Sequence, residues 1–102
     1  ALDIGIGFGK TLEQNLELIG KLDKVATKFE YPLLVGASRK SFIGKLLEGV
    51  GPDERLSGSL AAAVVAVVYG ARIIRAHDVK ATVDALKVAG AVINERSRPD
   101  MR

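Results

Sequence analysis

Three short apolar runs alternate along the chain with longer segments in which apolar residues recur every three or four positions. The runs lie at residues 1–4, 33–35 and 71–76, and a short apolar run bounded by turn residues predicts a strand. The helical periodicity of the segments between and after the runs predicts helices. Because connections of this length join parallel strands, the order strand, helix, strand, helix, strand, helix predicts an α/β fold with a parallel sheet.

The first predicted helix begins at Thr11, because Thr11 and Gln14 have the T-x-x-Q spacing of a capping box. One face of this helix is apolar and is expected to pack on the sheet. Its residues are Leu12, Leu16, Ile19, Leu22, Ala26 and Phe29. A second, short helix is predicted to begin at Ser41 and to end near Gly49, before the turn residues 51–53.

Two further helices are predicted on either side of the third strand. The first is apolar nearly all round over residues 61–68 and ends before Gly70, where a left-handed C-cap is expected. The last helix follows Asp78, which is predicted to be its N-cap. The apolar face of that helix consists of Val79, Val83, Leu86, Ala89 and Ile93.

The most informative stretch follows the second strand, which is expected to be buried on both faces. Gly36 ends the strand, and Ser38, Arg39 and Lys40 come directly after it. Ligands of parallel α/β proteins bind at the carboxyl ends of the strands, so this hydroxyl and Lys40 are predicted to bind a ligand. Gly36 would let another group approach the backbone closely. Arg39 is predicted to form an ion pair, either at the surface or between elements.

The other two strands also end in polar chemistry. Asp3 ends the first strand, and the glycine-rich loop 5–9 after it narrowly fails both the phosphate-loop and the dinucleotide-loop patterns. Arg75 and His77 end the third strand, whereas Arg72 near its start is expected to be structural. Parallel neighbours bring these ends together. A carboxylate there can accept from the N–H groups of a heterocycle, and arginine and histidine can hold phosphate oxygens.

Composition narrows the choice of partners. The net charge of +3 permits an anionic ligand, but no basic run with aromatic platforms predicts nucleic acid. The longest apolar run, residues 60–68, is far shorter than the about 20 residues of a membrane helix. With no cysteine and one histidine, thiolate and histidine-rich metal sites are excluded within this chain, and a reducing compartment, the cytoplasm, is expected. The chain lacks an initiator Met, and its first residues resemble the tail of a strand, so we expect a segment of a larger fold.

Four segments carry a resemblance to a known family. They read D-I-G-I-G-F-G-K-T, L-L-V-G-A-S-R-K-S-F-I-G, L-S-G-S-L-A-A-A and I-I-R-A-H-D-V, in this order. Together they resemble the carboxyl-terminal part of dihydropteroate synthase, a (β/α)₈ barrel. The resemblance implies that residues 1–102 form the last three-eighths of such a barrel, a partial pterin-binding domain with strands six to eight and their helices.

The resemblance also implies an activity and roles for named residues. The family condenses 6-hydroxymethyl-7,8-dihydropterin diphosphate with para-aminobenzoate and releases pyrophosphate, in folate biosynthesis. Asp3 and Lys40 would bind the pterin ring. Arg75 would stack on that ring and, with His77, hold the diphosphate. The para-aminobenzoate pocket would be lined by Gly7, Phe8 and Ser38, close to Gly36.

The resemblance further implies Mg²⁺ as the cofactor and a homo-oligomeric parent. The metal-binding asparagine and the other pterin contacts of the family lie in earlier strands, so this chain alone is expected to be inactive, and its open sheet is expected to self-associate. Ile4 stands where the family usually has proline.

Two alternatives remain open. One is a related pterin-binding methyltransferase barrel, which the S-R-K and R-A-H-D segments disfavour because a methyl donor has no diphosphate to hold. The other is a non-catalytic binding or assembly module.

Overall fold

The structure is a computed structural model that describes residues 2–7, 10–28 and 32–97. Its sheet has three parallel strands in the order β1-β2-β3, which are Leu2–Asp3, Leu33–Val35 and Ala71–Ile74. The predicted parallel α/β arrangement is therefore confirmed. The register between β2 and β3 shifts at Leu33, so that Arg72 is an extra residue without a partner across the pair.

Five α-helices and one 3₁₀ helix complete the described part of the chain. The α-helices are α1 (Leu12–Gly20), α2 (Leu22–Ala26), α3 (Ser41–Leu46), α4 (Leu56–Val68) and α5 (Val79–Ser97), and the 3₁₀ helix is Pro52–Glu54. None of the helices in the described ranges is both long and apolar enough to cross a membrane.

The predicted capping box and C-cap are both present. The backbone N–H of Gln14 donates to the Thr11 hydroxyl at 3.1 Å, and the Thr11 N–H donates to the Gln14 side chain at 3.0 Å. Gly70 has a φ of +117°, in the region that glycine adopts without a steric penalty. It joins α4 to β3, so this reversal depends on a residue that has no Cβ.

The prediction of one continuous helix after Thr11 is wrong. The helix is interrupted at Lys21, directly after Gly20, a residue type that weakens a helix by roughly 1 kcal/mol relative to alanine. Ile19 and Leu22 are buried on either side of the interruption, but Leu16 of the predicted apolar face is exposed. The predicted member Phe29 lies outside the described residues.

The helices cover one face of the sheet. Leu33, Val35 and Ala71 are buried there, in one cluster with apolar side chains of α1 to α4. On the opposite face Leu34 is half-buried and Ile73 is exposed, so the prediction that β2 is buried on both faces is wrong. The alternation of side chains along a strand places every second residue on this open face.

The long helix α5 does not bury the face that its periodicity predicted. Val79 and Val83 are 63% and 55% exposed, although Thr82 between them is buried. The helix packs against α4 instead, and α4 turns its small residues Ala63 and Ala66 inward. The alanines of α4 thus allow close packing, while its valines at 65, 67 and 68 remain exposed.

Candidate functional site

The carboxyl ends of the three strands meet at one edge of the sheet. Asp3 ends β1 and Arg75 follows β3, and an Arg75 guanidinium nitrogen lies 3.6 Å from a carboxylate oxygen of Asp3. Gly36 directly follows the central strand β2, and a Cβ placed on it would lie 3.5 Å from the Arg75 Cβ. The structure therefore brings the predicted residues Asp3, Gly36 and Arg75 together on the open face.

Ser38 and His77 form a second contact at this edge. The His77 backbone N–H donates to the Ser38 Oγ at 3.1 Å, and the same oxygen lies 2.9 Å from Nδ1 of the His77 ring. When Nδ1 carries no proton, the serine hydroxyl can donate to it. The other ring nitrogen, Nε2, is then available to a ligand from the exposed side of His77.

Lys40 reaches across to the loop that follows β1. A Cβ placed on Gly7 would lie 3.1 Å from Cδ and 3.7 Å from Nζ of Lys40. Gly7 also has a φ of +85°, so both its backbone conformation and the nearby lysine favour glycine. Lys40 is half-buried and stands at the N-cap position of α3. Two further predicted residues, Gly7 and Lys40, are thus in contact.

Three polar interactions hold the β1–α1 loop in place. The Gly7 N–H donates at 2.9 Å to Oδ1 of Asn15, a buried side chain of α1. The Gly5 N–H donates to Oδ1 of Asp3 at 2.9 Å, and Nζ of Lys10 donates to the Gly5 carbonyl at 3.1 Å. Asp3 therefore bonds the loop with one oxygen and faces Arg75 with the other. The predicted pocket residue Phe8 lies outside the described residues.

Arg39 forms an ion pair between elements, one of the two kinds of ion pair that were predicted for it. Its Nε and Nη2 donate to the two carboxylate oxygens of Asp78 at 3.2 and 2.8 Å. This double hydrogen bond lowers the pKa of the Asp78 carboxyl and raises the pKa of the Arg39 guanidinium. Asp78 directly precedes α5 as predicted, but its carboxylate bonds Arg39, while its carbonyl accepts the Thr82 N–H.

Two side chains that the sequence did not single out fix the loop that contains Arg39. Ser59 belongs to α4, and Arg55 stands at the N-terminal end of that helix. The Ser59 hydroxyl accepts the Arg39 backbone N–H at 2.8 Å, and Nη1 of Arg55 donates to the Arg39 carbonyl at 2.9 Å. Ser59 could have been recognised from the sequence as a hydroxyl residue near the start of an otherwise apolar helix. Asn15 was missed as well, although it is a polar residue on the apolar face between Leu12 and Ile19.

The charges at this edge suit an anion that carries a polar ring. Lys40, Arg75 and His77 surround the strand ends, with the carboxylate of Asp3 among them. Within residues 2–7, 10–28 and 32–97, no cluster of three or more His, Cys, Asp or Glu side chains could hold a metal ion.

Comparison with known families decides the affiliation of the chain. A family profile described as "Pterin binding enzyme" matches residues 1–77 of the 102. The chain belongs to the pterin-binding enzyme family. The matched segment contains the three strands of the described sheet. It also contains the three contacts of the site, which are Asp3 with Arg75, Ser38 with His77 and Gly7 with Lys40.

Individual members of the family resemble the chain closely over a part of their length. Dihydropteroate synthase of Escherichia coli K12 is 56% identical over 95 residues, which are 93% of this chain and 33% of that protein. The crystal structure of Yersinia pestis dihydropteroate synthase, 50% identical, superposes with a TM-score of 0.86 over 91% of this chain and 37% of that one. The Xanthomonas albilineans synthase in complex with 7,8-dihydropteroate gives a TM-score of 0.86 at 42% identity, over 95% of this chain and 36% of that one.

The predicted fold class is confirmed by these comparisons. The parallel βα units of the chain superpose on part of the synthase barrels. The chain spans about a third of the length of the curated relatives it matches. The assignment to strands six to eight, and the roles given to single residues, remain predictions.

Proposed function

We propose that the full-length protein that contains this chain is a dihydropteroate synthase. It condenses 6-hydroxymethyl-7,8-dihydropterin diphosphate with para-aminobenzoate and releases pyrophosphate. The observation that carries the proposal is the meeting of Asp3, Lys40, Arg75 and His77 at one sheet edge. That edge lies in a chain 56% identical to a named synthase.

The diphosphate is the leaving group, and Arg75 and His77 are proposed to hold it. The amine nitrogen of para-aminobenzoate attacks the methylene carbon of the pterin. As the N–C bond forms, the C–O bond breaks, its electron pair leaves with the diphosphate, and the amine loses a proton. Negative charge develops on the departing oxygens, where cationic donors stabilise the transition state. The Arg75 side chain is 65% exposed and its contact with Asp3 is long, so a ligand can engage its remaining donors.

Asp3 and Lys40 are proposed to bind the pterin ring. A carboxylate oxygen can accept from the ring's amino and N–H donors, and the Lys40 ammonium can donate to the ring carbonyl. Both side chains approach the same loop, Asp3 through Gly5 and Lys40 through Gly7. Ring and diphosphate would then be held by adjacent groups on one face of the sheet.

The second substrate is assigned to the neighbouring loops. Gly7, Phe8 and Ser38 are proposed to line the para-aminobenzoate pocket, close to Gly36. Gly7 and Ser38 both belong to loops at the strand ends, and Gly7 lies beside Lys40. The nucleophile would then lie beside the pterin rather than beyond the diphosphate.

The wider setting of the enzyme is also a proposal. We expect small-molecule substrates, no nucleic acid and no membrane partner, a cytoplasmic enzyme and a homo-oligomer. The complex of the Xanthomonas albilineans synthase with 7,8-dihydropteroate supports a small pterin product. Mg²⁺ is expected for the whole enzyme, with a ligand from outside this chain.

Calorimetry on the full-length protein tests the proposal against its alternatives. Titration with a pterin and, separately, with pyrophosphate should give binding in both cases. Binding of the pterin alone would favour a methyltransferase, since only a synthase needs a diphosphate site. Binding of neither would favour a non-catalytic module and would overturn the proposal.

A further inference from the structure

Two side-chain contacts join the same pair of loops in consecutive positions. Ser38 of the β2–α3 loop contacts His77 of the β3–α5 loop. The next residue of each loop repeats the pairing, Arg39 with Asp78, through two hydrogen bonds of 3.2 and 2.8 Å. Arg39 thus stands between Ser38 and Lys40, which both have substrate-binding roles in the proposed function.

Arg39 is held from three directions. Its guanidinium bonds Asp78, its backbone N–H bonds the buried Ser59 hydroxyl, and its carbonyl accepts from Arg55. Its φ is +55°, which is uncommon for a residue with a Cβ. A strained backbone of this kind costs roughly 1–3 kcal/mol and persists where surrounding contacts determine it. The loop between Ser38 and Lys40 is therefore fixed rather than merely solvated.

The geometry assigns Arg39 a part in the site other than binding substrate. Two of its guanidinium nitrogens already bond a carboxylate, and the pair is about two-thirds buried, with side-chain exposures of 34% and 29%. The i,i+4 pair Lys80–Asp84 on α5 is far more exposed, at 88% and 60%, and exposed pairs contribute little. A two-atom arginine–carboxylate contact also restricts orientation in a way that a single-atom contact does not.

We propose that Arg39 and Asp78 are positioning residues that set the spacing between the loop of Ser38 and Lys40 and the loop of His77. The inference rests on the proposed function, because it concerns the geometry of that same site. When the pair is removed, the Ser38–His77 contact loosens and Lys40 loses the fixed start of α3. The side chains that bind the substrates are all still present in such a variant, but the spacing between them changes.

A double-mutant cycle in the full-length protein tests the pairing. Arg39→Ala and Asp78→Ala should each lower kcat/KM at least about fivefold, and the double variant should be no worse than the poorer single variant, because both act through one contact. Lys80→Ala, which breaks the exposed pair, is the control and should match wild type. Arg39→Lys replaces Arg39→Ala if the latter does not fold, since lysine keeps the charge but not the two-atom contact. Losses that multiply in the double variant, or wild-type kinetics in either single variant, would overturn the inference.

A measurement without substrate separates this inference from the proposed function. In protein labelled with ¹⁵N-histidine, the ring signals of His77, assigned with His77→Asn, report the hydrogen bond at Nδ1. Arg39→Ala should move these signals toward those of free imidazole, whereas Lys80→Ala should not. If they move but wild type makes no dihydropteroate, the positioning role stands and the proposed function fails. If wild type is an active synthase and the signals stay fixed in Arg39→Ala, the positioning role fails.

Discussion

Replacing Asn15 by leucine tests how the glycine loop beside Lys40 is held. Asn15 is only 3% exposed, and its Oδ1 accepts the Gly7 N–H at 2.9 Å. Leucine has a similar size but no acceptor, so the Gly7 N–H is left part-buried without this partner. An unsatisfied buried donor costs about 1–3 kcal/mol, equivalent to a roughly 5- to 150-fold change in an opening equilibrium.

Global stability is a poor readout of this change, because the buried leucine gains hydrophobic stabilisation that offsets the lost hydrogen bond. Hydrogen exchange of a peptide covering residues 4–10 is the better assay, since exchange reports local opening. We expect hydrogen exchange of this peptide in Asn15→Leu to be roughly 5- to 150-fold faster than in wild type. We also expect the KM for para-aminobenzoate to rise more than the KM for the pterin diphosphate. Glu17→Leu, at an exposed position of the same helix, is the control and should exchange as wild type does. Unchanged exchange at this loop in Asn15→Leu would refute the reasoning.

Three further predictions concern the site, the ion pair and the packing of α3 on α4. In the full-length protein, Lys40→Ala should lower kcat/KM at least about tenfold, or roughly 1.4 kcal/mol of transition-state binding, and wild-type steady-state kinetics would contradict its role. Because Arg39 lowers the pKa of Asp78, the pair stabilises the folded state above about pH 4, the range of a free carboxyl, and this stabilisation is lost as the pH falls through the lowered pKa. The unfolding free energy of wild type should therefore exceed that of Asp78→Asn at neutral pH, and the difference should shrink in acid. A difference that does not depend on pH would exclude the linkage. A Cβ on Gly58 would overlap a side chain of α3, so Gly58→Ala should destabilise the protein by about 1–3 kcal/mol in thermal unfolding. Gly20→Ala, which places its Cβ in open space, is the control and should not destabilise the protein. Equal melting temperatures of the two variants would show that α3 adjusts freely.

Local signals in the sequence were sufficient for most of the fold. The capping box at Thr11 and the C-cap at Gly70 depend on neighbouring residues alone, and both are present. Parallel strands necessarily place their carboxyl ends at one edge, so the proximity of Asp3 to Arg75 followed from topology. An ion pair of Arg39, at the surface or between elements, was also predicted, although its partner was not.

Features that depend on tertiary packing could not be predicted in this way. The exposure of Leu16 and the extra residue at Arg72 depend on how α1 and β3 fit against their neighbours. Periodicity marks a helix face as apolar, but it does not say whether another element covers that face, as the exposed Val83 shows. The bonds from Arg55 and Ser59 to one loop join residues 16 and 20 positions apart, without any local pattern.

If this sheet edge is part of a dihydropteroate synthase site, the full-length protein releases pyrophosphate only as it joins its two substrates. We therefore expect rapid release from 6-hydroxymethyl-7,8-dihydropterin diphosphate when para-aminobenzoate is also present, with dihydropteroate formed in equal amount. In Arg75→Ala we expect a large loss of both products. Release that does not depend on para-aminobenzoate, or undiminished synthesis in Arg75→Ala, would contradict the account.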